Sequence, residues 1–176
     1  MPTILETALQ ILAGSTLTPS VVFLWLWLRH QQEPEYGWSA LLGFSVTGYI
    51  TCSVLEYHAV DFGQYMSVFQ WQPLFTSSVA SCVLMLAVGS HPRPSRRIRI
   101  LVNTMASLAF LIGIARTIYP QLTFQATRLH SIELWNGIGR LQLLDGDASV
   151  FALPLWLFLL ACVVTSYAVV RDGLKF

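Results

Sequence analysis

Five long apolar runs constrain this chain more than any other feature of its sequence. A helix needs roughly 20 mainly apolar residues to cross the hydrocarbon core of a bilayer, and five segments meet that length: 5–28, 38–59, 67–89, 100–119 and 149–170. Only 11% of the residues are charged, whereas soluble domains carry roughly a quarter. The sequence therefore predicts an all-α integral membrane protein, a bundle of about five transmembrane helices in a single polytopic domain, residues 1–176.

Positive charges are distributed unevenly between the two sides of this predicted bundle. If the five segments alternate in direction, seven of the ten lysines and arginines fall on one side: Arg29, Arg93, Arg96, Arg97, Arg99, Arg171 and Lys175. Cytoplasmic loops of membrane proteins are enriched in positive charge. We therefore expect a multi-pass protein with an external N-terminus and a cytoplasmic C-terminus. Pro19, inside the polar stretch GSTLTPS, predicts a kink or a break in the first span.

The connection before the last span, residues 120–148, is longer than the other loops. Its segment SIELWNGIGRLQLL places four apolar residues three positions apart: Ile132, Trp135, Ile138 and Leu141. This spacing is typical of an amphipathic helix lying in the membrane interface, although Gly137 and Gly139 weaken the pattern. We expect an additional interfacial amphipathic helix over residues 131–144, on the external side.

Small residues follow one another at helical spacing along two of the spans, and each stripe ends in a charge. The stripe of the second span comprises Ser45, Gly48, Cys52 and Glu56, and that of the fourth span comprises Asn103, Ala106, Ala109, Gly113 and Arg116. Membrane helices approach closely where small residues align. At 1.5 Å per residue, Glu56 and Arg116 lie roughly 27 and 24 Å from the cytoplasmic ends of their helices. We therefore expect the two charges to meet as an ion pair.

Other polar side chains are expected near this pair at the external end of the bundle. Together with Glu56 and Arg116 they are candidates to line a small binding pocket beneath the 131–144 helix: Glu6, His58, Gln70, Trp71 and Gln72. The more ordinary interpretation is that the Glu56–Arg116 pair simply links two helices. His58 lies two residues from Glu56 and so on another face, which favours a hydrogen-bonded or interfacial histidine over one that transfers protons.

Four arginines crowd the loop HPRPSRRIR between the third and fourth spans: Arg93, Arg96, Arg97 and Arg99. Basic residues attract anionic lipid head groups, each by about 1 kcal/mol near the surface. Contact with anionic lipid is therefore the functional interpretation of this loop. We favour the simpler one, that the charges fix the topology, because such loops are routine in membrane proteins.

Catalytic and metal-binding patterns are absent from the sequence. It contains no HExxH, GxSxG or phosphate-binding glycine motif, and its cysteines, Cys52, Cys82 and Cys162, stand apart within apolar runs. The histidines are not placed to ligate a haem inside the bundle. A net charge of +1 gives no broad basic surface for nucleic acid. We expect no metal, no cofactor and no nucleic-acid partner.

The sequence favours a function by association rather than by catalysis. We expect a non-catalytic accessory or assembly subunit of a larger membrane complex, with the lipid bilayer and other membrane protein subunits as its partners. One alternative is a membrane sensor, or input module, that binds a small molecule in the external polar pocket. A further alternative is a membrane enzyme that acts on a lipid or isoprenoid.

Overall fold

A computed structural model describes residues 4–122, 124–134 and 139–173. Within these ranges the helices are α1 (Ile4–Arg29), α2 (Pro34–Tyr57), α3 (Phe62–Phe69), α4 (Gln72–Gly89), α5 (Arg96–Ile118) and α6 (Ala152–Gly173). Between α5 and α6 lie a short 3-10 turn (Pro120–Leu122) and two strands, β1 (Phe124–Leu134) and β2 (Gly139–Ala148).

The predicted helical character is confirmed, and so is the presence of five helical segments with the length and composition of membrane spans. In the described part of the chain five helical segments are long and apolar enough to cross a membrane, with α3 and α4 together supplying the third, Phe62–Gly89. These segments suggest a multi-pass membrane protein. The basic side of the bundle carries the loops 30–33 and 90–95, and the sheet side carries α3 and the two strands.

Helix α4 lies at the centre of the bundle. Helices α2, α5 and α6 each pack against α4, whereas α1 packs mainly against α2. A hydrophobic core joins α4, α5 and α6 through Leu84, Ala87, Val102, Ala106, Ala109, Cys162 and Val169. The three cysteines that stand apart in the sequence are free and buried.

Helices α1 and α2 approach closely because a glycine faces a serine between them. A Cβ added at Gly43 would lie 1.9 Å from Ser20 Oγ, so only glycine fits there. The hydroxyls of Thr16 and Thr47 are 2.8 Å apart and join the same two helices. Helix α1 continues through Pro19, so of the predicted kink or break the break is wrong and the kink stays a prediction. One missing donor is tolerated in a membrane helix when a neighbouring helix supports the backbone.

The predicted amphipathic helix over residues 131–144 is wrong. Strand β1 pairs with β2 in antiparallel register from Phe124↔Ala148 to Leu134↔Gly139, with an irregularity between Ala126 and Arg128. The described parts of the predicted helix therefore belong to a two-stranded sheet, while Trp135 and Ile138 lie outside the described residues. Glycine is a poor helix former, and backbone pairing between the flanking strands satisfies the same polar groups that a helix would.

Helix α3 is a second departure from the predicted arrangement, in which residues 60–65 form a simple link. Asp61 caps α3 by accepting a hydrogen bond from Gln64 N at 2.8 Å, and the Gln64 side chain accepts one from Val60 N at 3.1 Å. The chain then turns at Gln70 before α4 begins. Pro73 is tolerated in the first turn of α4 because no backbone donor is required there.

Candidate functional site

Glu56 ends the small-residue stripe of α2 and is held by α4. It is 8% exposed, and its Oε2 accepts a hydrogen bond from Gln72 Nε2 at 2.9 Å. The Tyr65 hydroxyl of α3 faces the same carboxylate. Its other oxygen, Oε1, is buried and accepts no hydrogen bond within the described structure.

Arg116 lies near the end of α5 on the sheet side and is half-buried. Its Nε is buried without a hydrogen-bond partner, and no described carboxylate forms an ion pair with its guanidinium. Because a buried N–H without an acceptor costs about 1–3 kcal/mol, Arg116 is the least satisfied cation of the described bundle interior. It lines a cavity, as Gln72 also does.

Glu56 and Arg116 do not form the ion pair that the sequence predicted, because α4 lies between their helices. A Cβ added at Gly48 of α2 would lie 2.4 Å from the Phe75 ring, and one added at Gly113 of α5 would lie 2.6 Å from Ser77 Cβ. Both small-residue stripes therefore face α4, from two different sides. Glu6 of α1 instead lies at ion-pair distance from His58, with 3.0 Å between Oε1 and Nε2.

The sheet-side cavity has a volume of about 440 Å³, within the range of small-molecule pockets. Side chains from five helices line it: Val46, Tyr49, Phe69, Gln72, Pro73, Thr76, Val79, Arg116, Trp156 and Leu159. Most of this wall is apolar. Gln72 directs its amide nitrogen to Glu56 and Ser53, which leaves its carbonyl oxygen as an acceptor. The cavity thus combines apolar walls with a guanidinium donor and an amide acceptor.

The remaining predicted pocket residues are separated from this cavity. His58 Nε2 and Glu6 Oε1 are 3.0 Å apart and join the end of α2 to the start of α1. This contact fits the hydrogen-bonded interpretation of His58. Gln70 and Trp71 form the turn between α3 and α4, where Trp71 is 47% exposed. Of the predicted set, the structure brings together Glu56, Gln72 and Arg116.

The four arginines on the basic side are all exposed: Arg93, Arg96, Arg97 and Arg99. Three of them occupy the first turn of α5, which Ser95 caps by accepting from Ile98 N at 3.3 Å. Positive charge at a helix N-terminus opposes the helix dipole, so these arginines do not stabilise α5 through that dipole. Their contact with anionic lipid stays a prediction.

A second cavity, of about 810 Å³, lies between the same helices toward the basic side. It is bounded by α2, α4 and α6, and its polar lining consists of Glu33, Glu35, Tyr36, Ser90, Ser166 and Tyr167. Glu35 lies across Gly89, where an added Cβ would be 3.0 Å from the carboxylate. We call the space between α2 and α6 that contains these two cavities the α2–α6 groove. Its sheet-side end carries the Arg116 guanidinium, and its basic-side end carries the carboxylates of Glu33 and Glu35.

A third cavity, of about 470 Å³, lies in the groove between α2 and α5. Its polar lining residues are Ser78, Ser81, Asn103 and Ser107. Ser81 Oγ donates to Ala106 O at 2.8 Å and so spans the α4–α5 interface. The side chains of Asn103 and Ser107 are exposed and form no hydrogen bond within the described ranges.

Sequence reasoning missed two of the residues that shape the sheet-side site. Tyr65 is 7% exposed and reaches Glu56 only because α3 folds back at Gln70. The pattern Asp61-x-x-Gln64 is a helix-start signal that would have placed Tyr65 on a helix. Trp156 lines the cavity although it is 65% exposed, and nothing in its sequence distinguishes it from the other interfacial tryptophans. No protein-family model, curated protein or solved structure matches this chain.

Proposed function

We propose that this chain is a non-catalytic membrane protein that binds a small anionic molecule in the sheet-side cavity. The observation that carries the proposal is the Arg116 guanidinium, which lines the cavity while its buried Nε has no partner among the described residues. Ionisable groups inside a membrane bundle are costly and are commonly functional. A bound anion would supply the acceptor that the protein itself does not.

The arrangement of Glu56 supports the same conclusion. Its carboxylate is engaged by Gln72 at 2.9 Å on the α2 side of α4, so the carboxylate that the sequence paired with Arg116 is held elsewhere. An anion in the cavity would accept hydrogen bonds from Arg116, and any protonated oxygen on it could donate to the Gln72 carbonyl. Charge-assisted bonds to a guanidinium contribute about 1.5–3 kcal/mol each.

The test is native mass spectrometry of the protein purified from its own membranes in mild detergent. We expect the wild-type protein to carry a small anionic molecule that Arg116→Gln loses, with affinity for the extracted molecule reduced about 10–150-fold, the equivalent of 1.5–3 kcal/mol. Arg128→Gln is the matched control, because it removes the same charge from an exposed position on the same side. Equal occupancy in wild type and Arg116→Gln would overturn the proposal.

A second candidate, an accessory or assembly subunit, is favoured by Asn103 and Ser107 in the α2–α5 groove. Their polar groups are exposed at a depth where lipid offers no hydrogen bonds, and polar side chains of this kind join membrane helices. The same mass spectra separate the two candidates. A stoichiometric heteromer that dissociates in Asn103→Leu supports a subunit, whereas a monomer with a bound anion supports the binder.

A further inference from the structure

The two cavities between α2 and α6 follow one another along the same faces of α4 and α6. The sheet-side cavity ends at Val79 of α4 and Leu159 of α6, and the basic-side cavity begins at Val83 and Val163. Each step is four residues, which is about one helical turn or roughly 6 Å. The groove therefore continues from Arg116 toward the basic side along the same faces of α4 and α6.

The length of this groove matches the thickness of a bilayer core. Its α4 wall extends from Gln72 to Ser90, a rise of roughly 27 Å at 1.5 Å per residue. The hydrocarbon core of a typical bilayer is about 30 Å thick. An occupant of the groove would thus lie against apolar side chains of α4 and α6 along its length and would meet charged groups at the two ends.

The sheet-side part of the groove is small and mostly apolar. Its volume is about 440 Å³, which is within the range of pockets that hold small molecules. An extended hydrocarbon chain is narrow, and this part of the groove has room for one.

Charge determines which way such an occupant lies. An anionic head at the sheet-side end would meet the Arg116 guanidinium, whereas at the basic-side end it would meet Glu33 and Glu35. Like charges at close range repel, and more strongly where the dielectric constant is low. The head therefore belongs beside Arg116, with the tail directed past Val79 toward the basic side.

We propose that the ligand is a single-chain anionic amphiphile, with its carboxylate or phosphate head on Arg116 and its tail in the α2–α6 groove. This inference rests on the proposed function and adds the class of ligand. A free fatty acid and a lysophospholipid share this chemistry. A tail also concentrates the ligand in the bilayer, from which the groove is filled sideways between α2 and α6.

The experiment measures binding of tritiated palmitate to the protein in phosphatidylcholine nanodiscs by scintillation proximity. Unlabelled palmitate, lysophosphatidate, hexadecanol and butanoate serve as competitors. We expect palmitate or lysophosphatidate to displace the label at least tenfold more effectively than hexadecanol, which lacks the charge, or butanoate, which lacks the tail. Whichever of the two anionic amphiphiles competes better identifies the preferred head group.

Variants that fill the groove test the tail separately from the head. Val79→Trp narrows the groove below Arg116 and is expected to weaken palmitate at least tenfold while changing butanoate less than twofold. Leu159→Trp narrows the groove from the α6 side, and it replaces Val79→Trp in this test if that variant does not fold. Leu160→Trp is the matched control, because Leu160 is 58% exposed on the outer face of the same helix.

The outcomes distinguish this inference from the proposed function on which it rests. If Arg116→Gln reduces palmitate and butanoate binding alike but neither groove variant discriminates between them, the anion site stands and the tail assignment is overturned. If Arg116→Gln changes neither ligand, both proposals are overturned. Loss of palmitate alone in Val79→Trp and Leu159→Trp, with Leu160→Trp unchanged, supports the amphiphile.

Discussion

Helix α4 packs differently against α5 than it does along the gap between α2 and α6. Against α5, Gly113 lies so close to α4 that an added Cβ would be 3.2 Å from Pro73 O, and Leu84 and Val102 belong to the core that joins the same two helices. Along the gap between α2 and α6 the groove is bordered by large side chains, including Tyr49, Trp156 and Tyr167, and two cavities remain there.

This difference separates a structural interface from a candidate binding surface. In lipid, helices gain little from burying apolar area against each other, so close backbone approach and interhelical hydrogen bonds do most of the stabilising. The α4–α5 face has both, through Gly113 and through the Ser81 to Ala106 bond of 2.8 Å. We therefore expect stability to depend on the α5 face and ligand binding on the α2–α6 groove.

The largest effect should come from a single methyl group on the α5 face. In Gly113→Ala the new Cβ would lie 2.6 Å from Ser77 Cβ, and overpacking of this kind costs about 1–3 kcal/mol. Thermal unfolding in detergent, followed by circular dichroism, measures the loss. Gly14→Ala is the control, since a Cβ there has nothing within 4 Å, and it should leave stability unchanged or raise it by up to about 1 kcal/mol. Equal effects at the two glycines would contradict the asymmetry.

Two double-mutant cycles come next in size. The Glu56→Leu and Gln72→Leu cycle should show a coupling energy of about 0.5–3 kcal/mol, because the two side chains share a 2.9 Å hydrogen bond. The Glu56→Leu and Arg116→Leu cycle should be additive within about 0.5 kcal/mol, because these side chains share no hydrogen bond or ion pair in the described structure. Denaturant unfolding of the singles and doubles gives both numbers. Strong coupling between Glu56 and Arg116 would restore the ion pair that the sequence predicted.

A smaller effect is expected from the hydroxyl that crosses the α4–α5 interface. Ser81→Ala removes the bond to Ala106 O, and such interhelical bonds contribute about 0.6 kcal/mol on average. Thr76→Val is the matched change in the groove, where the hydroxyl bonds only to Gln72 O of its own helix. The loss of unfolding free energy should be greater for Ser81→Ala, and the reverse order would weaken the comparison.

The smallest effect should follow from adding volume to the groove. Val79→Phe places extra carbon atoms where the 440 Å³ cavity has room for them, so the unfolding free energy should change by less than about 0.5 kcal/mol. The same unfolding measurement as for Gly113→Ala makes the two faces directly comparable. A loss as large as that of Gly113→Ala would show that the groove is already filled by protein.

The sequence was sufficient to predict the spans, because each is a long apolar run whose length matches a bilayer. It also identified both small-residue stripes, and Ser45, Cys52, Ala106 and Ala109 are buried in the structure. What it misassigned was the partner of each stripe. Counting residues along a helix gives the depth of Glu56 and Arg116 but not the direction each faces around the bundle, and α4 occupies the space between them.

The error over residues 131–144 has a different origin. Four apolar residues spaced three positions apart favour a helix in this segment. The pair Asn136-Gly137, which is common in hairpin turns, favours two strands instead. Leu141 and Leu143 alternate with Arg140 and Gln142, so β2 fits a strand period at least as well. A short segment with two glycines is compatible with both the helical and the strand spacing of apolar residues, and pairing with the neighbouring strand then decides which structure forms.

The central position of α4 also bears on how the protein is made. If the five apolar segments insert into a membrane in chain order, Glu56 enters with α2, and Gln72, which donates to its carboxylate, follows 16 residues later. The hydrogen bond between them then forms only when α4 joins α2. Arg116 arrives later still with α5, and its buried Nε has no acceptor among the described residues, so under the proposed function a ligand would complete the last polar contact of the newly made bundle.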